Sequence, residues 1–312
     1  MRLVTSIRAQ PSMLPRETAL PLAESAGDLE TQLQALTNVA DVYLATGELE
    51  ASLGYRRRQR ALAEKIADPE AMALAECLIG CTLTMLGDWL EARNHLEMAR
   101  SAGASRDSAQ TLSFLGGLDI QEGDWETGTS LLEEASRTAE QTGDIQVLRL
   151  VQLQLSERDL LQERLGAVLA RLEPMLADGG ADPTSFALLP NIAVAHLEMG
   201  DAERAEDIAR QAVEQGGFYR LTLVDALRAL GLVLVQQGRW NEAETTFSDG
   251  LSLARDVHYP LGEARMLLGR ARLHASRGEP ERAEARLREA AAIFHLLGAR
   301  PHIDAIEREQ RP

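Results

Sequence analysis

Aromatic residues make up only 4 % of this 312-residue chain. Sheets draw heavily on aromatic and β-branched side chains, so this scarcity disfavours a β fold. Alanine and leucine abound instead, and both favour helices. The sequence also shows no hairpin signal and no convincing run of alternating apolar residues. Together these absences predict an all-α fold.

Lysine is nearly absent: Lys65 is the single lysine. Apart from the histidines, every other basic side chain is an arginine. A phosphate-binding loop requires a lysine that follows glycines, whereas Lys65 stands in the sequence Ala-Glu-Lys-Ile-Ala. No nucleophile motif of the G-x-S-x-G type and no H-E-x-x-H zinc motif occurs. Acidic pairs fall on surface-facing helix positions, so no buried acid–base pair is expected. We therefore predict no catalytic residue, no metal site, no cofactor and no enzymatic activity.

Cysteine is limited to Cys77 and Cys81, whose spacing of four places both thiols on one face of a helix. No second pair exists to complete a zinc site, and a reduced pair is the default for a cytoplasmic protein. The stretch from residue 1 to residue 27 lacks the continuous apolar core of a signal peptide. No window reaches the roughly 18 apolar residues of a membrane helix. The predicted location is the cytoplasm, with no membrane partner.

The chain is acidic, with a formal net charge of −16 and a pI of about 4.9. Such a chain repels phosphate backbones, so a direct nucleic-acid partner is not expected. The strongest local basic cluster is the run Arg56-Arg57-Arg58-Gln59-Arg60. It either meets an acidic partner or a phosphate, or it forms a solvated outer face paired with nearby glutamates. We favour the second interpretation.

A short phrase recurs along the chain, and it is the main signal in the sequence. Its occurrences begin at Gly47, Gly87, Gly123, Gly200, Gly238 and Gly278, as in Gly87-Asp88-Trp89-Leu90-Glu91-Ala92. These glycines stand 40, 36, 77, 38 and 40 residues apart. The gap of 77 residues corresponds to two units. One of them has a degraded form of the phrase, without the leading glycine, at residues 162–167. Further turn signals lie between the phrases, among them Gly103-Ala104 and Gly179-Gly180. Each unit is therefore predicted to be a helix, a tight turn, a second helix and a looser turn.

Small residues flank each tight turn at fixed distances. Seven positions before the turn glycine stand Ala40, Gly80, Gly116, Ala193, Gly231 and Ala271; five positions after it stand Ser52, Ala92, Gly128, Ala205, Ala243 and Ala283. Small side chains allow the two helices of a hairpin to approach closely. Because one hairpin alone cannot offset the entropy of ordering its own residues, the units are expected to stack.

This small–Gly–small pattern, with Trp or Leu two residues after several of the glycines, resembles the tetratricopeptide repeat. The units are longer than the usual 34 residues, and in this they are similar to the repeat region of the maltose-regulon activator (MalT-like) family of bacterial signal-transduction ATPases and LuxR-type regulators. The closing stretch, residues 290–301, is similar to the last helix and cap of such regions. The resemblance implies an all-α, right-handed α-solenoid of about seven helix hairpins. We divide it into a partial N-terminal repeat or cap at residues 1–28, repeats at 29–299 and a C-terminal cap at 300–312.

In such a solenoid the first helix of each unit lines the concave face, through residues 13, 10, 6, 3 and 2 before the turn glycine. In the last two units this implies the positions Asp225, Arg228, Leu232, Val235 and Gln236, followed by Arg265, Leu268, Arg272, Ala275 and Ser276. The predicted ligand-binding residues are Asp225, Arg228, Gln236, Arg265 and Arg272. Guanidinium groups suit carboxylates and phosphates. The alternative is that the three arginines are solvated and paired with local acids.

The function predicted from these features is a non-catalytic protein-interaction or ligand-sensing module. Its concave groove would bind a peptide, a partner protein or a small ligand, in bacterial signalling or transcription regulation. The alternative is a general assembly scaffold with no ligand-sensing role. The sequence leaves the oligomeric state open.

Overall fold

A computed structural model describes residues 20–309 of the chain, apart from residues 22–23, 26, 103–107 and 178–182. Within these residues every regular element is helical and no strand occurs, which confirms the predicted all-α class. Most of the predicted partial repeat at residues 1–28 lies outside the described residues. The turns predicted at Gly103-Ala104 and Gly179-Gly180 lie outside them as well.

The helices form seven antiparallel hairpins followed by a terminal helix, as the repeat spacing predicts. The hairpins are α1 (Leu29–Ala45) with α2 (Leu49–Lys65), α3 (Pro69–Leu86) with α4 (Trp89–Ser101), α5 (Ser108–Glu122) with α6 (Trp125–Thr142), α7 (Ile145–Leu161) with α8 (Leu165–Ala177), α10 (Leu189–Glu198) with α11 (Ala202–Gln215), α12 (Arg220–Gln236) with α13 (Trp240–Asp256), and α14 (Pro260–Ser276) with α15 (Pro280–Leu297). A four-residue helix, α9 (Pro183–Phe186), precedes α10, and α16 (Arg300–Glu309) closes the chain.

Left-handed backbone conformations end the first helix of each hairpin. Gly87, Gly123 and Gly200 have φ angles of 88°, 91° and 89°, a region that glycine enters without steric cost. In the degraded unit Glu163 takes this place, with φ 58°, and α8 begins two residues later at Leu165. The predicted turn is therefore present, but the residue that takes the place of the turn glycine is Glu163, one position after the predicted Gln162.

Small residues allow the two helices of each hairpin to touch. The Ser52 hydroxyl donates to the carbonyl oxygen of Ala40 at 2.8 Å, and both residues are fully buried. A Cβ atom added to Gly116 would lie 2.8 Å from the carbonyl oxygen of Gly128, closer than packed atoms come. These contacts confirm the predicted packing role of the small positions.

The solenoid winds until its early turns meet its last helices. The turn at Gly47 packs against Val257, and the turn at Gly87 packs against Pro260 and Leu297. The turn at Gly123 lies against Pro301, at 3.4 Å from a hypothetical Cβ atom. The winding therefore closes on itself along this seam and encloses an inner space.

Part of the basic run is buried, contrary to the interpretation favoured from the sequence. The Arg56 side chain is only 1 % exposed and forms an ion pair with Asp41 of the neighbouring helix. Arg57 and Arg58 are exposed and paired with glutamates, as expected. The solvated-face interpretation is thus wrong for Arg56, because the face of α2 that carries it packs on α1.

Helix α3 is long and apolar enough to cross a membrane by length and composition, although no such segment was expected. Half of that stretch is buried inside the solenoid. Its Glu76 is buried and paired with Arg60 and His95 of the adjacent helices. These features are those of a core helix.

Candidate functional site

A cavity of about 720 Å³ lies inside the winding, between helices of the second half of the chain. Helices α7, α10, α12, α14 and α16 supply most of its wall. Spacings of three and four residues place Arg228 and Leu232 on one face of α12, and Arg265, Leu268 and Arg272 on one face of α14. The wall is therefore built from the inner faces of successive first helices, with α16 closing one side.

Three of the five predicted ligand-binding residues line this cavity, namely Arg228, Arg265 and Arg272. Asp225 lies one helical turn before Arg228 on α12 and interacts electrostatically with Arg228 and Arg265. Gln236, near the end of the same helix, is exposed and does not line the cavity. The structure thus brings four of the five together and leaves Gln236 apart.

Arg265 is the best-anchored side chain of the cluster. Its Nη2 donates to Glu157 Oε2 at 2.5 Å and to Gln121 Oε1 at 3.4 Å, so it joins α14 to α7 and α5. Asn191 Nδ2 donates to the other carboxylate oxygen of Glu157 at 3.0 Å. Burial disfavours the charge on Arg265, but the neighbouring Glu157 outweighs this and raises its pKa. Burial likewise opposes the Glu157 charge, yet Arg265 and Asn191 lower its pKa.

Arg228 and Asp225 are charged side chains without a bonded partner. Neither makes a hydrogen bond or ion pair with a described residue, and both Arg228 Nε and Asp225 Oδ1 are buried and unsatisfied. Burial and the nearby positive charge of Arg265 lower the pKa of Arg228. Burial also raises the pKa of Asp225. Arg228 is therefore a cavity-wall cation to which no carboxylate of the described residues is directly bonded, although Asp225 and Glu157 favour its charge at longer range.

Arg272 occupies a different environment, at the solvent-exposed part of the wall. Its side chain is 54 % exposed and its Nη1 donates to Glu198 Oε1 at 3.0 Å. This ion pair joins α14 to α10. Since exposed pairs contribute little to stability, Arg272 is free to exchange this partner for another anion.

His302 completes the polar side of the cavity from the terminal helix. The residue is 8 % exposed, and its ring stacks on Phe294 with centroids 4.5 Å apart. Its Nε2 atom is buried and has no hydrogen-bond partner. Burial, aided by the positive charge of Arg265, lowers the pKa of His302 to about 3. The ring is therefore neutral at physiological pH and can donate or accept one hydrogen bond at each nitrogen.

Sequence reasoning missed Glu157 and Gln121, although the repeat rule contains the signal for both. Gln121 stands two positions before Gly123, and Glu157 stands six before Glu163, so both occupy concave-face positions. The degraded turn phrase is predicted to begin at Gln162. Counting back from Gln162 puts Glu157 at five residues before the turn, which is not a concave-face position. The expectation that acidic residues fall on surface-facing positions does not hold for Glu157, because neighbouring turns of the solenoid largely enclose it together with Arg265.

A smaller depression of about 260 Å³ lies between α6, α7 and α8, lined in part by Arg137, Arg158 and Arg171. Arg158 and Arg171 both donate to the fully buried carboxylate of Asp159, at 2.8 Å each. Two of these three arginines are therefore held by the fold and are not available to a ligand.

Comparison with known proteins agrees with this architecture. Residues 222–294 match the family described as tetratricopeptide repeat. No curated protein matches the chain in sequence.

Solved structures with the same fold share little sequence with it. A Rap protein complexed with competence and sporulation factor superposes with a TM-score of 0.62 at 11 % identity, covering 88 % of this chain and 80 % of the other. NprR in complex with its cognate peptide NprX gives 0.60 at 16 % identity, with 93 % and 89 % covered.

A signal transduction ATPase with numerous domains and a tetratricopeptide repeat sensor, from Pyrococcus horikoshii, gives a TM-score of 0.52 at 14 % identity. The match covers 98 % of this chain but spans about half the length of that protein, 51 %. The repeat spacing, the hairpins of the described residues and these structural similarities lead to one conclusion: the chain is an all-α solenoid of stacked helix hairpins, in which residues 222–294 match the tetratricopeptide repeat.

Proposed function

We propose that this solenoid is a non-catalytic ligand-sensing module whose inner cavity binds a peptide, a segment of a partner protein or a small ligand. The observation that carries the proposal is the cavity-wall guanidinium of Arg228, which no described residue neutralises by a direct bond. A buried charge without a partner is costly, so a ligand that supplies an acceptor there gains affinity. Asp225, Arg265 and Arg272 then position Arg228 or extend the same surface, whereas Gln236 lies outside it.

Ligand binding can change the curvature of the solenoid, because the cavity lies between distant turns that contact each other. The cavity is bounded by α7 on one side and by α14 and α16 on the other, and Arg265 bonds across that gap to Glu157. A ligand that contacts both sides favours one curvature of the solenoid over others. The seam between Gly47 and Val257 would then tighten or open. A partner protein that binds at the contact between Gly47 and Val257 would respond to this change.

We place this module in the bacterial cytoplasm, in signalling or transcription regulation of the MalT-like kind, with residues 1–28 as a partial repeat and 300–312 as a cap. The similarity in fold to NprR with its peptide and to a tetratricopeptide repeat sensor of a signal transduction ATPase supports the signalling part of this assignment. Neither nucleic acid nor membrane is a proposed partner. A general assembly scaffold is the alternative, and it needs no occupied cavity.

The test is to capture binding partners on the immobilised protein and identify peptides and small molecules by mass spectrometry. The wild-type chain should retain a ligand that the Arg228→Met/Arg272→Met variant loses. Arg100→Met is the matched control, since Arg100 is an exposed, ion-paired helix arginine outside the cavity. Retention that is equal in all three proteins would refute the proposal and leave a scaffold.

Curvature is tested by the distance between spin labels at Glu48→Cys and Asp256→Cys, both exposed and on opposite sides of the seam. The two native cysteines are buried and do not compete for the label. The captured ligand should shift this distance distribution in the wild-type background and leave it unchanged in the Arg228→Met/Arg272→Met background. An unchanged distribution with ligand bound would refute the sensing mechanism.

A further inference from the structure

We infer that the cavity takes an apolar monocarboxylate: a small molecule with one carboxylate head and a hydrophobic body. This inference rests on the proposed function and names the ligand class for the same site. It follows from the division of the cavity wall into a polar and an apolar part, and from the charges that the protein leaves uncommitted.

The charges on the wall are mostly consumed by the protein itself. Glu157 is bonded to Arg265 and Asn191, and Glu198 is bonded to Arg272. Arg228 has no such partner. Arg308 also lines the cavity without a carboxylate partner among the described residues, but it is exposed to solvent. A single carboxylate on the ligand therefore finds Arg228 as the uncommitted interior guanidinium, and a bidentate pair with it matches the geometry of both groups.

His302 supplies a second hydrogen bond to the same head group. The residue is more than nine-tenths buried, lines the cavity and has an unsatisfied Nε2. As a neutral ring it can donate one hydrogen bond to a carboxylate oxygen without adding a charge. The polar end of the cavity thus offers one cation and one neutral donor, a set that suits a monoanion.

The remaining wall is apolar. Its main contributors are Leu160, Val194, Leu232, Leu268, Leu287 and Ile306. A volume of about 720 Å³ is of the size that encloses small organic ligands, about 300–1,000 Å³. Burial of an aliphatic or aromatic body against these side chains favours binding in proportion to the apolar surface that leaves water.

Other ligand classes fit this wall less well. A phosphate or a dicarboxylate brings a second negative charge close to Glu157, Glu163 and Glu198, which also line the cavity. A cationic head meets Arg228, Arg265 and Arg272. A neutral polar molecule leaves Arg228 without a directly bonded counter-charge, since Asp225 and Glu157 interact with it only at longer range. The single carboxylate is the head group that the uncommitted side chains favour.

The experiment measures binding of decanoate by calorimetry below its micelle concentration, with decanol, decylamine and acetate as probes that lack the anionic head or the apolar body. Decanoate should bind at least ten times more tightly than each of the other three. Arg228→Met should weaken decanoate binding at least tenfold and remove its preference over decanol. Arg100→Met should leave both unchanged.

A second variant tests the apolar part of the wall without disturbing a buried contact. Ala275 lines the cavity and is exposed, so Ala275→Phe occupies part of the space and should weaken decanoate binding at least tenfold while the helical spectrum is unchanged. Equal binding of decanoate and decanol would overturn the inference, as would preferential binding of inorganic phosphate or succinate. Binding of a captured peptide that depends on Arg228, with no decanoate binding, would overturn this inference and leave the proposed function standing. Absence of any Arg228-dependent ligand would overturn both.

Discussion

Arg265 on α14 donates to Glu157 on α7 at 2.5 Å, although 108 positions of sequence separate the two residues. The Arg265 side chain is 8 % exposed and the Glu157 side chain 15 %. This pair is a direct polar link between the middle of the solenoid and its last repeat. Its energetics follow from the burial of both partners.

Removing both partners of this pair should destabilise the fold by less than the two single removals added together. Arg265→Met or Glu157→Gln alone leaves an uncompensated buried group, at a cost of about 3–5 kcal/mol in the free energy of unfolding. The Glu157→Gln/Arg265→Met double variant should lose less than the sum of the two single losses. Urea unfolding at pH 7 measures all four proteins. Strictly additive losses would show that the two side chains do not interact.

His302 should make the protein sensitive to acid. Its pKa in the fold is about 3, below the ordinary 6.5, because burial and Arg265 disfavour the imidazolium and outweigh the opposing effect of Glu157. The unfolded chain therefore binds the proton first, and stability falls as pH drops from 6.5 towards 3, by up to about 1.4 kcal/mol per pH unit.

The comparison for this effect is His302→Gln, which cannot take up a proton in this range. The stability difference between wild type and variant should shrink or reverse between pH 7.5 and pH 4.5, as followed by thermal and urea unfolding. A difference that stays constant over this interval would show that His302 does not titrate differently in the folded and unfolded chain.

Close helix approach makes Gly116 intolerant of a methyl group. A Cβ atom there would lie 2.8 Å from the Gly128 carbonyl oxygen and 2.8 Å from Leu132 Cγ, so Gly116→Ala should destabilise by about 1–3 kcal/mol. Gly54 is the matched control: it is an exposed glycine inside α2 with nothing near its hypothetical Cβ atom. Gly54→Ala should stabilise by about 0.5–1 kcal/mol. Chemical denaturation of both variants tests the contrast, and equal effects would contradict it.

Cys81 should be inert in the native protein. Burial, with a contribution from Cys77, raises the pKa of the Cys81 thiol to about 12. Because the thiolate is the reactive form, iodoacetamide at pH 8 should leave Cys81 unmodified in the folded chain and modify it in 8 M urea. Peptide mass mapping reads the outcome. Rapid native alkylation of Cys81 would show that α3 opens locally.

The repeat length and the small residues near each turn were sufficient to predict the helix pairs and their close packing. This works because a hairpin is a local structure: Ala40 and Ser52, or Gly116 and Gly128, lie only twelve residues apart and face each other in any such pair. The resemblance to the tetratricopeptide repeat implied which faces turn inward. Three of the five proposed ligand residues, Arg228, Arg265 and Arg272, consequently line the cavity. Asp225 interacts electrostatically with two of them, and Gln236, at the end of its helix, lies apart.

The sequence by itself determined the hairpins and their order, because these depend on spacings of three to forty residues, and its resemblance to the tetratricopeptide repeat implied their inner faces. Only the tertiary structure decided which charges are neutralised. The winding brings Glu157 and Gln121 to Arg265, and leaves Arg228 without a bonded partner. It also seats the turns of the first three hairpins on the last helices. Small rotations between successive repeats accumulate over the whole chain, so these distant contacts depend on all the interfaces together and cannot be read from one unit.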